Sequence, residues 1–206
     1  MSPRRPDLPS LRRDALAADP FAQFAAWYDE ALLEVPLADA VTLATADADG
    51  APDARMVLLK GHGPDGFRFF TNLGSAKARQ LAADRRAALV VYWRELDRQV
   101  RIRGGVEPLS DPDSDAYFAT RPRDSQLGAW ASPQSRPLES REELERRFAE
   151  LDAEYAEAAV PRPPFWGGYL LVPATVEFWQ GRIGRLHDRF LYSREDGGWS
   201  IVRLAP

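Results

Sequence analysis

From Asp19 onward the apolar positions Phe21, Phe24, Trp27, Tyr28, Ala31 and Leu32 recur at the helical period, and Pro20 suits a first turn, so the spacing predicts one amphipathic helix. The pattern then changes. "AVTLATAD", "ARMVLLKG" and "FRFFTN" are short β-prone runs separated by "DADG" and "GPDG", and together they predict a meander of hairpins. "GSAKARQLAAD" predicts a short helix, after which "AALVVYW" and "RQVRIRGGVEPL" return to strands. In "SREELERRFAELDAEYAEA" the residues Leu144, Phe148, Leu151 and Tyr155 share a face, Glu142/Arg146 and Glu143/Arg147 are spaced for pairing, and Ser140 with Glu143 forms a capping box. The tail reads as strands again, "GGYLLVPATVEFWQ", "RLHDRFLYSRE" and "GWSIVRLAP". Antiparallel runs with a few inserted helices predict an α+β fold, a small barrel with helices packed outside; the regular strand-helix alternation of a doubly wound parallel sheet is missing.

Composition narrows the chemistry. The 206 residues are 45% hydrophobic and 28% charged, ordinary values for a globular chain with a real core, and residues 20–206 read as a single domain behind a mobile amino-terminal arm, residues 1–19. A net charge of -4 argues against non-specific nucleic-acid binding, so any arginine cluster acts locally. No cysteine is present, which removes disulfides, thiolate nucleophiles and sulfur-ligated zinc, and two histidines, His62 and His187, rule out a multi-histidine metal site. "MSPRRPDLPS" lacks the apolar stretch of a signal peptide and "AALVVYW" is too short to span a bilayer, so the expected location is cytoplasmic, without membrane association. Redox chemistry, if any, has to come from a bound organic cofactor.

"GHGPDG" matches G-x-G-x-x-G but is followed by the strand-like "FRFFTN", so it reads as a hairpin loop with His62 exposed in it rather than as a dinucleotide site. "RPRDSQLGAW" puts Arg121, Arg123, Asp124 and Ser125 ahead of an apolar stretch. This is either a helix start capped by Asp124 or Ser125, or an anion site of guanidinium forks and helix N–H groups. As a strand, "GRLHDRF" would project Arg185, His187 and Arg189 to one face, where they need an anion, a carboxylate or solvent. Gln99, Arg101 and Arg103 share a face in "RQVRIRGG". Arg55 and Lys60 end an apolar strand and require partners. Thr71, Ser75 and Lys77 surround a helix start, and Trp179 with Gln180 ends a strand where an indole is either core or the flank of a flat heterocycle.

"RMVLLK", "FFTNLGSAKA", "RQVRI", "RPRDSQLGAW", "SPQS", "FWGG", "EFWQG" and "RLHDRFLY" to the terminal "RLAP" occur in unbroken order from about residue 20 to Pro206, and the chain so read resembles the pyridoxamine (pyridoxine) 5'-phosphate oxidases. The resemblance implies an FMN-binding split β-barrel and a homodimer with two sites across the interface. The implied reaction oxidises pyridoxamine and pyridoxine 5'-phosphates to pyridoxal 5'-phosphate with oxygen as acceptor and hydrogen peroxide as by-product. It further implies that Lys60, Tyr117, Arg121 and Ser125 hold the substrate phosphate, while Arg123 and Asp124 pair with one another or set the loop. Arg55, Lys77 and Thr71, with Gln134 and Ser135 from across the dimer, are expected at the FMN phosphate; Gln99, Trp179 and Arg189 at the flavin and its chain; and the backbone of Met56, Val57, Leu58 and Leu59 along the ring, with Lys60 and Phe70 close by. Arg185 and His187 are expected over the substrate ring as the catalytic pair.

Three positions depart from the family pattern: Ala76 where an arginine is usual, Phe70 for a frequent tyrosine, and "GRIG" before Arg185. The amino-terminal arm matches poorly, which leaves any lid role for Arg4 or Arg5 open. The rival readings are a paralogous flavin oxidase of dihydro-aromatic acids in phenazine assembly and a non-catalytic flavin or pyridoxal phosphate carrier.

Overall fold

The computed structural model describes residues 10–206, so Arg4 and Arg5 lie outside the described residues. Along the chain come α1 (Pro20–Glu34), β1 (Ala40–Ala46), β2 (Pro52–Gly63), β3 (Gly66–Asn72), α2 (Ala76–Ala83), β4 (Arg86–Trp93) and β5 (Arg98–Pro108). Then follow α3 (Asp111–Ala119), α4 (Arg123–Ala131), α5 (Arg141–Glu154), β6 (Trp166–Gln180), β7 (Asp188–Glu195) and β8 (Gly198–Leu204). The strand order is β3-β2-β1-β4-β5-β6-β7-β8, and all pairings are antiparallel. An additional β3–β6 pairing closes the first six strands into a barrel.

The barrel is split because β6 changes partner along one edge. Residues 166–171 pair with β3, and residues 175–180 pair with β7 instead. Closure removes the exposed edge that an open sheet of this size would leave. The interior is filled by alternating residues of the strands, among them Val41, Leu43, Phe67, Phe69, Val100, Ile102, Val176 and Phe178, all fully buried. Phe24 and Trp27 of α1 plug one end, meeting Phe67 and Phe178 edge to face and Trp93 at a tilt. Gly104 is required where β5 bulges, because a Cβ there would run into the Val172 carbonyl.

Several sequence expectations change in three dimensions. The packed body begins before Pro20: Leu11 and Leu16 are buried, the Leu11 N–H donates to Asp188, and the Tyr192 hydroxyl donates to the Ala17 carbonyl. "GHGPDG" does form a hairpin, but β2 continues through His62, which is half-buried, edge-on against the stacked Phe24 and Tyr28 rings at separations of 5.1 and 5.2 Å, rather than fully exposed. Burial pushes the His62 imidazole pKa down. The predicted cap of α4 is also replaced. Its N-cap is Pro122, with no side-chain cap, and Arg123 pairs with Asp152 of α5 rather than with Asp124. In α5 the Ser140 cap and the Glu143–Arg147 pair form, whereas Arg146 pairs with Glu150 rather than Glu142.

Candidate active site

A cleft of about 600 Å³ opens where β2 and β3 meet α2, α3 and α4. It gathers Met56, Val57, Leu58 and Lys60 from β2; Phe70, Thr71 and Lys77 from β3 and α2; and Tyr117, Arg121, Ser125 and Gln134 from the helical segment. The period of β2 explains the selection: Leu59 points into the barrel core, so only its backbone is offered to the cleft side, while Met56 and Leu58 stand exposed.

Aromatic packing builds the wall beneath Arg121. Phe70 stacks on Tyr117 (4.0 Å, 17°) and on Trp166 (5.3 Å, 7°), and the Arg121 guanidinium lies 4.8 Å from the Trp166 ring centroid and 5.4 Å from that of Phe118. Gly168 makes room for this stack, since a Cβ there would approach Phe70 to 2.6 Å and Leu109 to 2.5 Å. Two π faces hold the guanidinium in place of a carboxylate. Its Nη1 is buried and has no hydrogen-bond partner, and burial pushes the Arg121 pKa down. An unpartnered buried cation is costly, and an anion entering the cleft would supply what it lacks.

Lys77 supplies the second buried charge. Its Nζ lies 3.3 Å from Thr71 Oγ1 and 3.1 Å from Gln134 Oε1, and burial, reinforced by the nearby Arg55, pushes its pKa down. Gln134 of the same chain reaches this position, where the turn after α4 carries it to Thr71 and Lys77. Ser135 has φ 68°, is exposed and does not line the cleft. Arg55 points to the α2 side, where Thr45 Oγ1 (2.5 Å), Gln80 Oε1 (2.9 Å) and the Asp53 carboxylate hold it. Lys60 lines the cleft but is paired with Asp39 at 2.6 Å. Both end-of-strand cations thus have protein partners.

The remaining expected residues form a separate group on β5, β6 and β7. Gln99, Trp179 and Arg189 stand in one cross-strand row. Buried Glu177 accepts from Arg189 (2.7 Å) and Arg101 (3.0 Å), and its hydrogen bond and charge raise the Arg189 pKa. "GRLHDRF" is not one strand. Ile183–Arg185 forms a 3-10 turn, Gly184 and Arg185 have φ 71° and 62°, and β7 begins only at Asp188. The three cationic residues therefore do not share an alternating face: Arg185 is exposed on the turn, and His187 lies half-buried with its ring 4.6 Å from Trp179. The Arg182 N–H donates to His187 Nδ1 at 3.1 Å, so a neutral imidazole carries its proton on Nε2. None of these five residues lines the cleft of its own chain.

Sequence reading passed over Trp166 and Glu177. The "FWGG" and "EFWQG" motifs contained both, but the faces on which they act depend on β6 pairing with β3 at one end and β7 at the other.

The residues present suit a phosphorylated aromatic cofactor and a phosphorylated substrate: a bare buried guanidinium, a desolvated ammonium and an aromatic wall in one cleft. Comparison with known proteins agrees. Residues 28–155 match the family model described as pyridoxamine 5'-phosphate oxidase, and residues 166–206 match that of the pyridoxine 5'-phosphate oxidase C-terminal dimerisation region. The pyridoxine/pyridoxamine 5'-phosphate oxidase of Rubrobacter xylanophilus is 56% identical, with 98% of each chain covered, and that of Cupriavidus taiwanensis is 54% identical, covering 97% of this chain and 94% of the relative. Among solved structures, PhzG from Burkholderia lata, in complex with tetrahydrophenazine-1-carboxylic acid, superposes with a TM-score of 0.91 at 32% identity, covering 97% of this chain and all of the other. The chain belongs to the pyridoxamine 5'-phosphate oxidase family.

Proposed function

We propose that this protein is an FMN-dependent oxidase that converts pyridoxamine 5'-phosphate and pyridoxine 5'-phosphate to pyridoxal 5'-phosphate, with oxygen as acceptor and hydrogen peroxide as by-product. The observation that carries the reading is the buried, unpartnered Nη1 of Arg121 in the cleft. A phosphate dianion supplies charge-assisted acceptors for it, the Tyr117 and Ser125 hydroxyls meet further phosphate oxygens, and Lys60 adds charge from β2. Lys77, Thr71 and Gln134, with Arg55 beside them, hold the second phosphate, that of FMN. When bound, FMN supplies the two-electron acceptor and passes the electrons on to oxygen.

The site is completed by a second copy of the chain. Gln99, Trp179, Arg185, His187 and Arg189 lie outside the cleft of their own protomer, and the carboxy-terminal match to a dimerisation region supports a homodimer in which they reach the partner's cleft. There Trp179 and Arg189 flank the flavin, and His187, its Nδ1 occupied by the Arg182 N–H, presents Nε2 to the substrate ring. Arg185 and His187 act by orienting the ring and by electrostatics, which is where a barrier to hydride transfer is lowered most readily by side chains alone. A cytoplasmic location goes with this reading.

The phenazine-type reading draws on PhzG, but at 32% identity against 54–56% for the B6 phosphate oxidases it is the weaker likeness. Anaerobic addition of pyridoxine 5'-phosphate to the flavin-loaded protein tests the proposal. Bleaching of the flavin absorbance within seconds is expected, while tight binding without bleaching would establish a carrier and no response at all would favour a non-phosphorylated substrate.

A further inference from the structure

The network behind the cofactor-phosphate residues contains one group of the wrong sign. Arg55 is held by three neutral acceptors, Thr45 Oγ1 at 2.5 Å, Gln80 Oε1 at 2.9 Å and the Leu43 carbonyl at 3.4 Å, and by one charged group, the carboxylate of Asp53. Gln80 ties the network together. Its Oε1 also accepts from Thr45 Oγ1 at 2.7 Å, and its Nε2 donates to Asp53 at 3.1 Å. The guanidinium thus has three acceptors besides Asp53. The Asp53 side chain is 46% exposed against 19% for Arg55, so the carboxylate sits at the solvent margin of the network.

Asp53 also reaches the other cation electrostatically. The Lys77 ammonium is depressed first by burial and then by Arg55, and Asp53 acts on it in the opposite direction. One acidic side chain therefore bears on both cations available to a phosphate here. At the neighbouring position where the family usually adds an arginine, this chain has Ala76. Two cations shared with a carboxylate is a weak site for a dianion.

We infer that Asp53 is an affinity-determining residue of the cofactor site: it neutralises Arg55 in the ligand-free protein and competes with the incoming phosphate for it. The inference rests on the reading that Arg55 and Lys77 hold the FMN phosphate. Asp53 contributes little to the orientation of Arg55, which its neutral partners maintain, and it lowers the attraction the site exerts on a dianion. Because the carboxylate is half exposed, the effect is moderated by solvent and shrinks further as ionic strength rises.

The test is a binding titration of flavin-free protein, followed by quenching of flavin fluorescence, with FMN and with riboflavin, which shares the ring but has no phosphate. In the unaltered protein FMN should bind far more tightly than riboflavin. Asp53→Asn and Asp53→Ala should each lower the FMN Kd by about three- to fivefold at low salt, leave the riboflavin Kd unchanged, and lose most of that gain near 1 M salt. If FMN outcompetes riboflavin but neither variant tightens FMN binding, or either weakens it, the inference about Asp53 is overturned while the phosphate assignment stands. Should FMN and riboflavin bind the unaltered protein equally, the phosphate assignment itself fails and the inference goes with it.

Discussion

The two halves of the expected site treat positive charge in opposite ways. In the cleft, Arg121 rests on Trp166 and Phe118 with a buried nitrogen unpartnered, and Lys77 is buried against neutral oxygens. On the β5–β6–β7 face the guanidiniums are compensated from within: Glu177 serves Arg101 and Arg189, and Asp188 serves Arg203. Both groups carry several cationic side chains, so sequence composition does not tell them apart. What differs is the counterion. On the β5–β6–β7 face a buried carboxylate fixes the arginines as architecture; at Arg121 the fold supplies only ring faces, and the charge is left for a ligand.

That contrast can be broken most directly at Arg121. Arg121→Met keeps much of the bulk and removes the charge, and steady-state kinetics should show kcat/KM for pyridoxine 5'-phosphate falling by about two to three orders of magnitude, mainly through KM. FMN content should stay unchanged and thermal unfolding should not move downward, because no protein counterion is orphaned by the change. A fall in Tm together with lost FMN would mean that Arg121 belongs to the architecture after all. The opposite outcome is expected at Glu177. Glu177→Gln leaves Arg101 and Arg189 without their carboxylate, and chemical denaturation should register a loss of about 2 kcal/mol, less than for a fully buried pair because both guanidiniums keep contact with water.

The smallest effect sharpens the comparison from outside either cation group. His62 packs edge-on against Phe24 and Tyr28, and burial lowers its pKa below the ordinary 6.5, with Asp29 opposing. A histidine kept neutral in the folded state binds fewer protons than in the unfolded one. Its contribution is therefore complete above the unfolded value and is lost as pH falls from there through the depressed folded value. Melting curves of the parent and of His62→Gln should diverge in their pH dependence between pH 7.5 and 5, the parent losing about 1–2 °C more.

Much of this architecture is legible from pattern alone. The 3.6-residue period from Phe21 to Ala31 specifies α1 and its buried face, although Leu32, expected on that face, stands exposed; Ser75 and Ser140 announce helix starts that form as expected, and "GPDG" and "DGG" sit at the hairpin turns. These are local effects: a cap, a turn or an amphipathic face acts over a few residues, and its signal is written over the same few. The ordered motifs likewise specify the family and nearly all residues of the cleft.

What the chain could not announce is set by contacts distant in sequence. Whether Arg123 pairs with Asp124 beside it or with Asp152 depends on how α4 lies against α5. Gln134 joins Lys77 and Thr71 within one chain because the turn after α4 ends beside β3, and the turn at Gly184 breaks a stretch whose alternation suggests a continuous strand. Above all, sequence lists cations without their counterions. Only the change of partner along β6, from β3 to β7, places Trp166 and Glu177 on their different arginines, and with them the distinction between charge already neutralised and charge left for a ligand.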